Sequence, residues 1–231
     1  MKALVTTPAS PTSPFVVRRL KELGYKVTVV DSHSRSFVSY SNAVDKRLLA
    51  PSLLYAPQGF AQTVIDELKR GDYSFYFPVL ECGFLMSYYR DIIRQYTKMI
   101  SMSFEEITYA HNKGAMREYA KAAGVRTPLT AAPDSVQSAC KLLEELDAPV
   151  VIKPRIACNA HGQKIVRDPK QAVWEYRKIV QKYKLEEQPP LIQQYIKGPL
   201  ICTVNLAVYG EIKGNVVFQA QLGSVYDKAV R

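Results

Sequence analysis

Lys153 closes the apolar run APVVIK and is followed by Pro154, Arg155 and the segment ACNAHGQ, residues 157–163. A lysine at the end of a buried strand, facing a loop, is placed to meet a polyphosphate as a point cation while loop amides supply directional donors. A snorkelling lysine with a purely structural role produces the same pattern. Lys113 stands in HNKGAMREYAKAAGVRTP, just ahead of a helix, and alone names no chemistry. A third stretch, LIQQYIKG, runs through Gln193, Gln194, Tyr195 and Ile196 into Gly198. An edge strand of this kind offers alternating N–H and C=O groups to a planar base such as adenine. It is equally an ordinary strand and turn. Glu81, in FPVLECG, follows a strand at the position where parallel sheets make ligand contacts, and surface or capping roles fit it as well.

The elements that must position these residues alternate between strand and helix. Over the first hundred residues the pattern predicts strands at Ala3–Val5, Val27–Val30, Arg47–Ala50 and Tyr73–Leu80. Between them it predicts a helix carrying Val16, Leu20 and Leu23 that ends at Gly24, and a second near Gln58–Lys69. A further helix is expected over Phe84–Ile100, with Met86, Tyr89, Ile93, Tyr96 and Ile100 on one face as core. This is the signature of a parallel sheet with helices on both faces. The first turn, TTPASPTSP, has no glycine and no GxGxxG, which argues against a dinucleotide there; Thr12 or Ser13 caps the helix or holds an anion.

Composition changes near residue 103, where Ser103 and Glu106 form a capping box. Helices are then expected over Gly114–Ala123 and Ser135–Leu146, the latter with Leu142, Leu143 and Leu146 on its apolar side, and over Pro169–Tyr183. VRTPLT reads as extended chain, and strands are expected at APVVIK, Lys164–Val166 and LIQQYI. A hairpin pairs Ile201–Val208 with Lys213–Gln221 across Tyr209–Glu211.

Of 231 residues 47% are hydrophobic, enough for a substantial core. The four cysteines lie far apart, which suits reduced thiols in a cytosolic protein better than a disulfide framework or a zinc site. No segment resembles a signal peptide or a membrane span, so a soluble cytoplasmic protein is expected. The net charge of +10 is spread along the chain. It argues weakly against a nucleic-acid arm and fits small anionic ligands.

Taken in order, NKGAMREYAKAAGVRTP, APVVIKPR with its loop and IVRD, and LIQQYIKGP resemble the ATP-grasp superfamily, closest to carbamoyl-phosphate-synthase-like and related carboxylate–amine ligases. The resemblance spans roughly residues 1–221. It implies an α/β chain: a Rossmann-like pre-ATP-grasp domain with a parallel sheet over 1–103, then an incomplete α+β ATP-grasp domain over 104–231 with a lid at about 126–190. It implies that Lys113 approaches the α-phosphate of ATP and Lys153 the α- and β-phosphates. Gln193 would face the adenine amino group, with Gln194, Tyr195 and Ile196 as the hinge that reads the ring edge. Gly162 would belong to the loop closing over the γ-phosphate. Arg155 is a catalytic candidate for γ-phosphate or acyl-phosphate contact, or a structural ion pair. The complete form would be an ATP-dependent C–N ligase using Mg2+, acting on small-molecule carboxylate and amine substrates, with no membrane or nucleic-acid partner and with a homodimer compatible.

The departures from the family pattern are specific. A loop that usually reads like GSGGKG is here Ala157, Cys158, Asn159, Ala160, His161, Gly162. Leu200 stands where a ribose-binding glutamate is common, and Asn112 where aspartate is common. No metal carboxylates are identified; Asp227 is a lone nearby acid. The expectation is therefore a chain that ends before the metal-binding half and by itself turns over no ATP. The rival reading is a non-catalytic nucleotide-binding relative.

Overall fold

Strand alternation organises the first sheet. In β1 (Lys2–Thr6), Ala3 and Val5 face one side while Leu4 and Thr6 face the other, and β2 (Lys26–Asp31) alternates in step with it. All four of the apolar residues Leu4, Val5, Val27 and Val30 are fully buried, because helices cover both faces. The computed structural model describes residues 1–6, 9–36, 38, 40–99, 101–157 and 160–220. Of the positions singled out above, Ile100, Cys158, Asn159, Gln221 and Asp227 lie outside the described residues.

The sheet is completed by β3 (Lys46–Leu49), β4 (Phe75–Pro78) and β5 (Lys98–Met99), in the order β3-β2-β1-β4-β5, all parallel. On one face α1 (Ser13–Glu22) buries Val17 and Leu20 against Ala3, Val5, Val27 and Val29. On the other, α2 (Pro57–Arg70) buries Phe60, Val64 and Leu68 together with Met86 of α3 (Glu81–Tyr88) and Ile93 of α4 (Arg90–Ile93). Chain contacts divide the protein into two units, Met1–Tyr109 and Ala110–Arg231.

Several expected elements are corrected. The single helix over Phe84–Ile100 is instead α3, α4 and the short edge strand β5, which pairs Lys98 and Met99 with Phe75 and Tyr76. Sheet pairing takes the end of that apolar run, and such tertiary pairing outweighs local helical periodicity. The strand expected to reach Leu80 stops at Pro78, because Leu80 turns the chain at φ +52° into α3. Leu23, expected on the helix, is the C-cap residue that follows α1 and is exposed. Thr12 occupies the N-cap position of α1, yet its hydroxyl bonds Ser10 at 2.8 Å instead of a helix N–H. The capping box forms as expected at α5 (Phe104–His111): the Ser103 N–H donates to Glu106 and the Glu106 N–H to Ser103.

The second unit begins with α6 (Lys113–Ala122). A four-stranded sheet follows, in the order β6-β9-β7-β8, antiparallel throughout: β6 (Thr130–Ala131), β7 (Val150–Lys153), β8 (Lys164–Val166) and β9 (Leu191–Gln194). α7 (Val136–Glu145) and α8 (Ala172–Tyr183) cover one face. The helix expected from Pro169 opens as a 3-10 turn over Pro169–Gln171 before α8 begins. The apolar side of α7 is Ala139, Cys140 and Leu143, with Leu142 and Leu146 only partly buried. The hairpin is β10 (Leu200–Val208) and β11 (Glu211–Ala220). Its turn is two residues, Tyr209 and Gly210, both at positive φ, so Glu211 belongs to the strand rather than to the turn.

Candidate functional site

Period-two alternation also separates core from site in the second sheet. Val150 and Ile152 of β7 point toward α7 and α8, into the core that holds Leu143, Tyr176 and Ile192. Lys153, one residue on, therefore emerges on the opposite face, as does Gln193 on β9. The two strands pair Val151 with Gln193 and Lys153 with Leu191, which makes Lys153 and Gln193 diagonal neighbours. The Lys153 Nζ donates to Gln193 Oε1 at 2.6 Å, and Gln193 Nε2 donates to Thr130 Oγ1 at 3.0 Å.

Lys113 reaches the same neighbourhood from α6. Asn112 caps that helix, its Oδ1 accepting from the N–H groups of Gly114 and Ala115, so it does the work an aspartate would do there. The Lys113 N–H donates to the Arg155 carbonyl at 2.9 Å, and its Nζ to the Ala157 carbonyl at 2.5 Å. Burial, and in addition the like charge of Lys113, push the Lys153 ammonium below the usual lysine range. Among the described residues no carboxylate pairs with Lys153. The Lys113 charge acts on Lys153, and an anion bound beside both ammonium groups would relieve that repulsion.

Arg155 is placed beside these lysines but is tied down. Its Nε donates to the Pro189 carbonyl at 2.9 Å and its Nη2 to the Pro133 carbonyl at 2.8 Å. It joins the approach to β9, the approach to α7 and the start of α6, where a Cβ on Gly114 would sit 3.2 Å from Nη1. Arg155→Ala should cost about 2 kcal/mol of stability, from two charge-assisted bonds lost and two carbonyls unpaired. Urea unfolding checks it; unchanged stability with a large loss of nucleotide affinity would show that a ligand, not the scaffold, needs this side chain.

Gly162 is a structural requirement of its turn. It sits at φ +71°, and a Cβ there would approach Pro154 Cγ to 2.8 Å and Tyr183 Cε2 to 3.3 Å. His161 packs edge-on against Tyr183 with ring centroids 5.0 Å apart. Gly162→Ala is expected to lower stability by about 1–2 kcal/mol through the left-handed backbone alone. A wild-type urea midpoint would refute that geometry.

At the end of β9, the Gln194 N–H donates to the Leu129 carbonyl at 2.8 Å and the Tyr195 N–H to the Pro149 carbonyl at 3.2 Å. Ile196, 58% exposed, is the first residue beyond the strand whose N–H finds no acceptor among the described residues.

Comparison with known proteins adds the architecture. No family model and no curated protein matches the sequence. Solved structures do. An L-amino acid ligase from Bacillus licheniformis superposes with a TM-score of 0.72 at 18% identity, over 96% of this chain and 52% of that one. An N5-carboxyaminoimidazole synthetase from Staphylococcus aureus gives 0.69 at 14% identity, over 96% and 55%. A biotin carboxylase from Campylobacter jejuni gives 0.68 at 17% identity, over 88% and 47%. The chain has an ATP-grasp fold. It spans about half the length of each of these structures.

Within this ATP-grasp fold, Lys113, Lys153 and Gln193 come together, Gln194 to Ile196 continue the strand that carries Gln193, and Gly162 shapes the turn behind Pro154. Thr130 and the Ala157 carbonyl also belong to the cluster and were not singled out in the sequence. The Thr130 hydroxyl carries a weak signal, a polar residue in an otherwise extended TPLTAAP; a carbonyl carries none. Among the described residues no three of His, Cys, Asp and Glu gather as a metal set, and no helix is long and apolar enough to cross a membrane.

Proposed function

We propose that this chain binds the polyphosphate of an adenine nucleotide between Lys113 and Lys153. The whole protein would be an ATP-dependent ligase that joins a carboxylate to an amine through an acyl-phosphate. The observation that carries this reading is the convergence of two lysines, one of them half-buried and without an acidic partner among the described residues, on the outer face of β7. The neighbouring structures support it: the Campylobacter biotin carboxylase is a β,γ-ATP complex, and a second structure of the Staphylococcus synthetase is complexed with ADP.

In this reading the two ammonium groups neutralise the α- and β-phosphates, and Gln193 relays between Lys153 and Thr130. The Ile196 N–H is the main-chain donor left to read the adenine edge, since those of Gln194 and Tyr195 are already bonded. Gly162 belongs to the loop beside the γ-phosphate. The domain division at residue 103 and the lid at about 126–190 are part of the same proposal, as are small carboxylate and amine substrates, a cytoplasmic setting and a homodimer. In the whole protein Mg2+ would supply charge neutralisation to the phosphates. The described residues offer it no acidic set. One feature favours a binding-only role: Leu200, 40% exposed, stands where the resembling family has a ribose acceptor.

Calorimetric titration with ADP, AMP and adenosine tests the phosphate site. ADP should bind at least about tenfold more tightly than adenosine, the margin one charge-assisted contact provides. Equal affinities for ADP and adenosine would remove the phosphates from the lysine pair.

A further inference from the structure

The first unit holds two buried carboxylates that are treated very differently. Glu67, 7% exposed on α2, accepts from Lys46 at 2.7 Å and from the Tyr73 hydroxyl at 2.5 Å. Asp31, 6% exposed, ends β2; its Oδ1 accepts the His33 N–H at 3.1 Å, while its Oδ2 is buried with no hydrogen-bond partner. Among the described residues no lysine, arginine or histidine pairs with it. A buried acceptor left unsatisfied is costly, more so when charged, and native chains keep such groups for a reason.

Asp31 lines a cavity of about 170 Å3 beyond the C-terminal ends of the parallel strands. Leu53, Leu54 and Phe60 form an apolar side of this cavity, and Ala9, Ser32, His33 and Ser52 line the rest. Of the polar neighbours, Ser32 donates to the Pro51 carbonyl at 2.7 Å and accepts from the Leu53 N–H at 3.1 Å, Ser52 accepts from the Tyr55 N–H at 3.3 Å, and the His33 main chain already donates to Asp31. Leu53 and Leu54 also wall a second cavity of about 570 Å3, with Phe84, Leu85 and Tyr88 on its far side. In sheets of this topology ligands lie beyond the C-terminal strand edge.

We infer that Asp31 is the anchor of a small-molecule site, separate from the lysine pair, which takes a primary ammonium group carrying an apolar substituent. A cation is the partner that best satisfies a buried, unpaired carboxylate oxygen, because charge-assisted bonds are roughly twice as strong as neutral ones. The leucine and aromatic walls receive the substituent. A strand-end acid can instead hold ribose hydroxyls, but that use goes with a glycine-rich first turn, and TTPASPTSP has no glycine. At about 30 Å3 per water, the smaller cavity has room for roughly six water-sized groups, which suits an aminomethyl head and not a nucleoside.

The test is a titration of the full 231-residue chain with benzylamine, benzyl alcohol and phenylacetate, followed by NMR, on wild type and Asp31→Asn. The amide keeps an acceptor for the His33 N–H and removes the charge, and circular dichroism with urea unfolding establishes that the variant is folded. Benzylamine should bind wild type about tenfold more tightly than benzyl alcohol, with Asp31→Asn reducing it to the alcohol's level. The perturbed signals should include the methyls of Leu53 and Leu54. Three outcomes overturn the inference: equal benzylamine affinity in the two proteins, an alcohol or carboxylate that binds as well as the amine, or no binding of benzylamine at the millimolar concentrations small fragments require. None of them bears on the ADP titration, so failure here and failure of the nucleotide reading are separate results. Should Asp31→Asn fail to fold, the wild-type ranking of amine over alcohol and the Leu53 and Leu54 shifts still decide it.

Discussion

Lys153→Met should lower the affinity for ADP about ten- to hundredfold while leaving stability at neutral pH unchanged or slightly raised. Removing one charge-assisted phosphate contact costs about 1.5–3 kcal/mol. Methionine keeps much of the apolar stem that lies along the strand and removes the half-buried charge that Lys113 opposes. The same physics gives a pH dependence. The folded pKa of Lys153 lies below its unfolded value, so the cost it imposes on stability is full below the folded pKa, fades as pH rises from the folded to the unfolded value, and is gone above it. A bound phosphate favours the ammonium and raises the pKa again. In the alkaline window between the free and bound values, ADP binding takes up a proton and weakens as pH increases. Calorimetry in buffers of different ionisation enthalpy measures that proton directly. Wild-type affinity in the folded variant, or proton release on binding, would remove Lys153 from the phosphate site.

Ile152→Ala, one residue earlier, should do the reverse. Ile152 is 0% exposed in the core formed with Leu143, Tyr176 and Ile192. Truncation to alanine at such a site costs about 2–5 kcal/mol, through lost burial and the cavity left behind. The readout is the urea midpoint, with ADP affinity measured well below the transition, where it should stay within a few-fold of wild type. Neighbouring residues with opposite phenotypes are what alternation in β7 requires, because a one-residue slip in register would exchange their faces. A loss of less than about 1 kcal/mol at Ile152 would indicate that slip, since a residue outside the core loses little on truncation.

Much of this was legible in the linear pattern. APVVIKPR combines an apolar run, a terminal lysine and a proline, and such a run has few options other than a buried strand with the lysine at its exit. The capping box at Ser103 and Glu106 and the glycine closing α1 are local signals, satisfied within a few residues, and both hold in the structure. The helix expected over Phe84–Ile100 failed because nothing within the segment reveals that Lys98 and Met99 will pair with Phe75 and Tyr76, more than twenty residues away.

The sequence by itself determined the longer strands of the two sheets, most of their helices, and three short stretches with the residue types for a charged ligand, since periodicity and capping are properties of neighbours along the chain. Only the tertiary structure decided what those residues do to one another. Folding brings Lys113 and Lys153 to one face across forty residues, binds the Arg155 guanidinium to the carbonyls of Pro133 and Pro189, and closes the turn at Gly162 against Pro154 and Tyr183. It also leaves one oxygen of Asp31 buried without a partner. Whether a polar group is satisfied depends on which distant atoms arrive beside it, and residue type and spacing alone do not specify that.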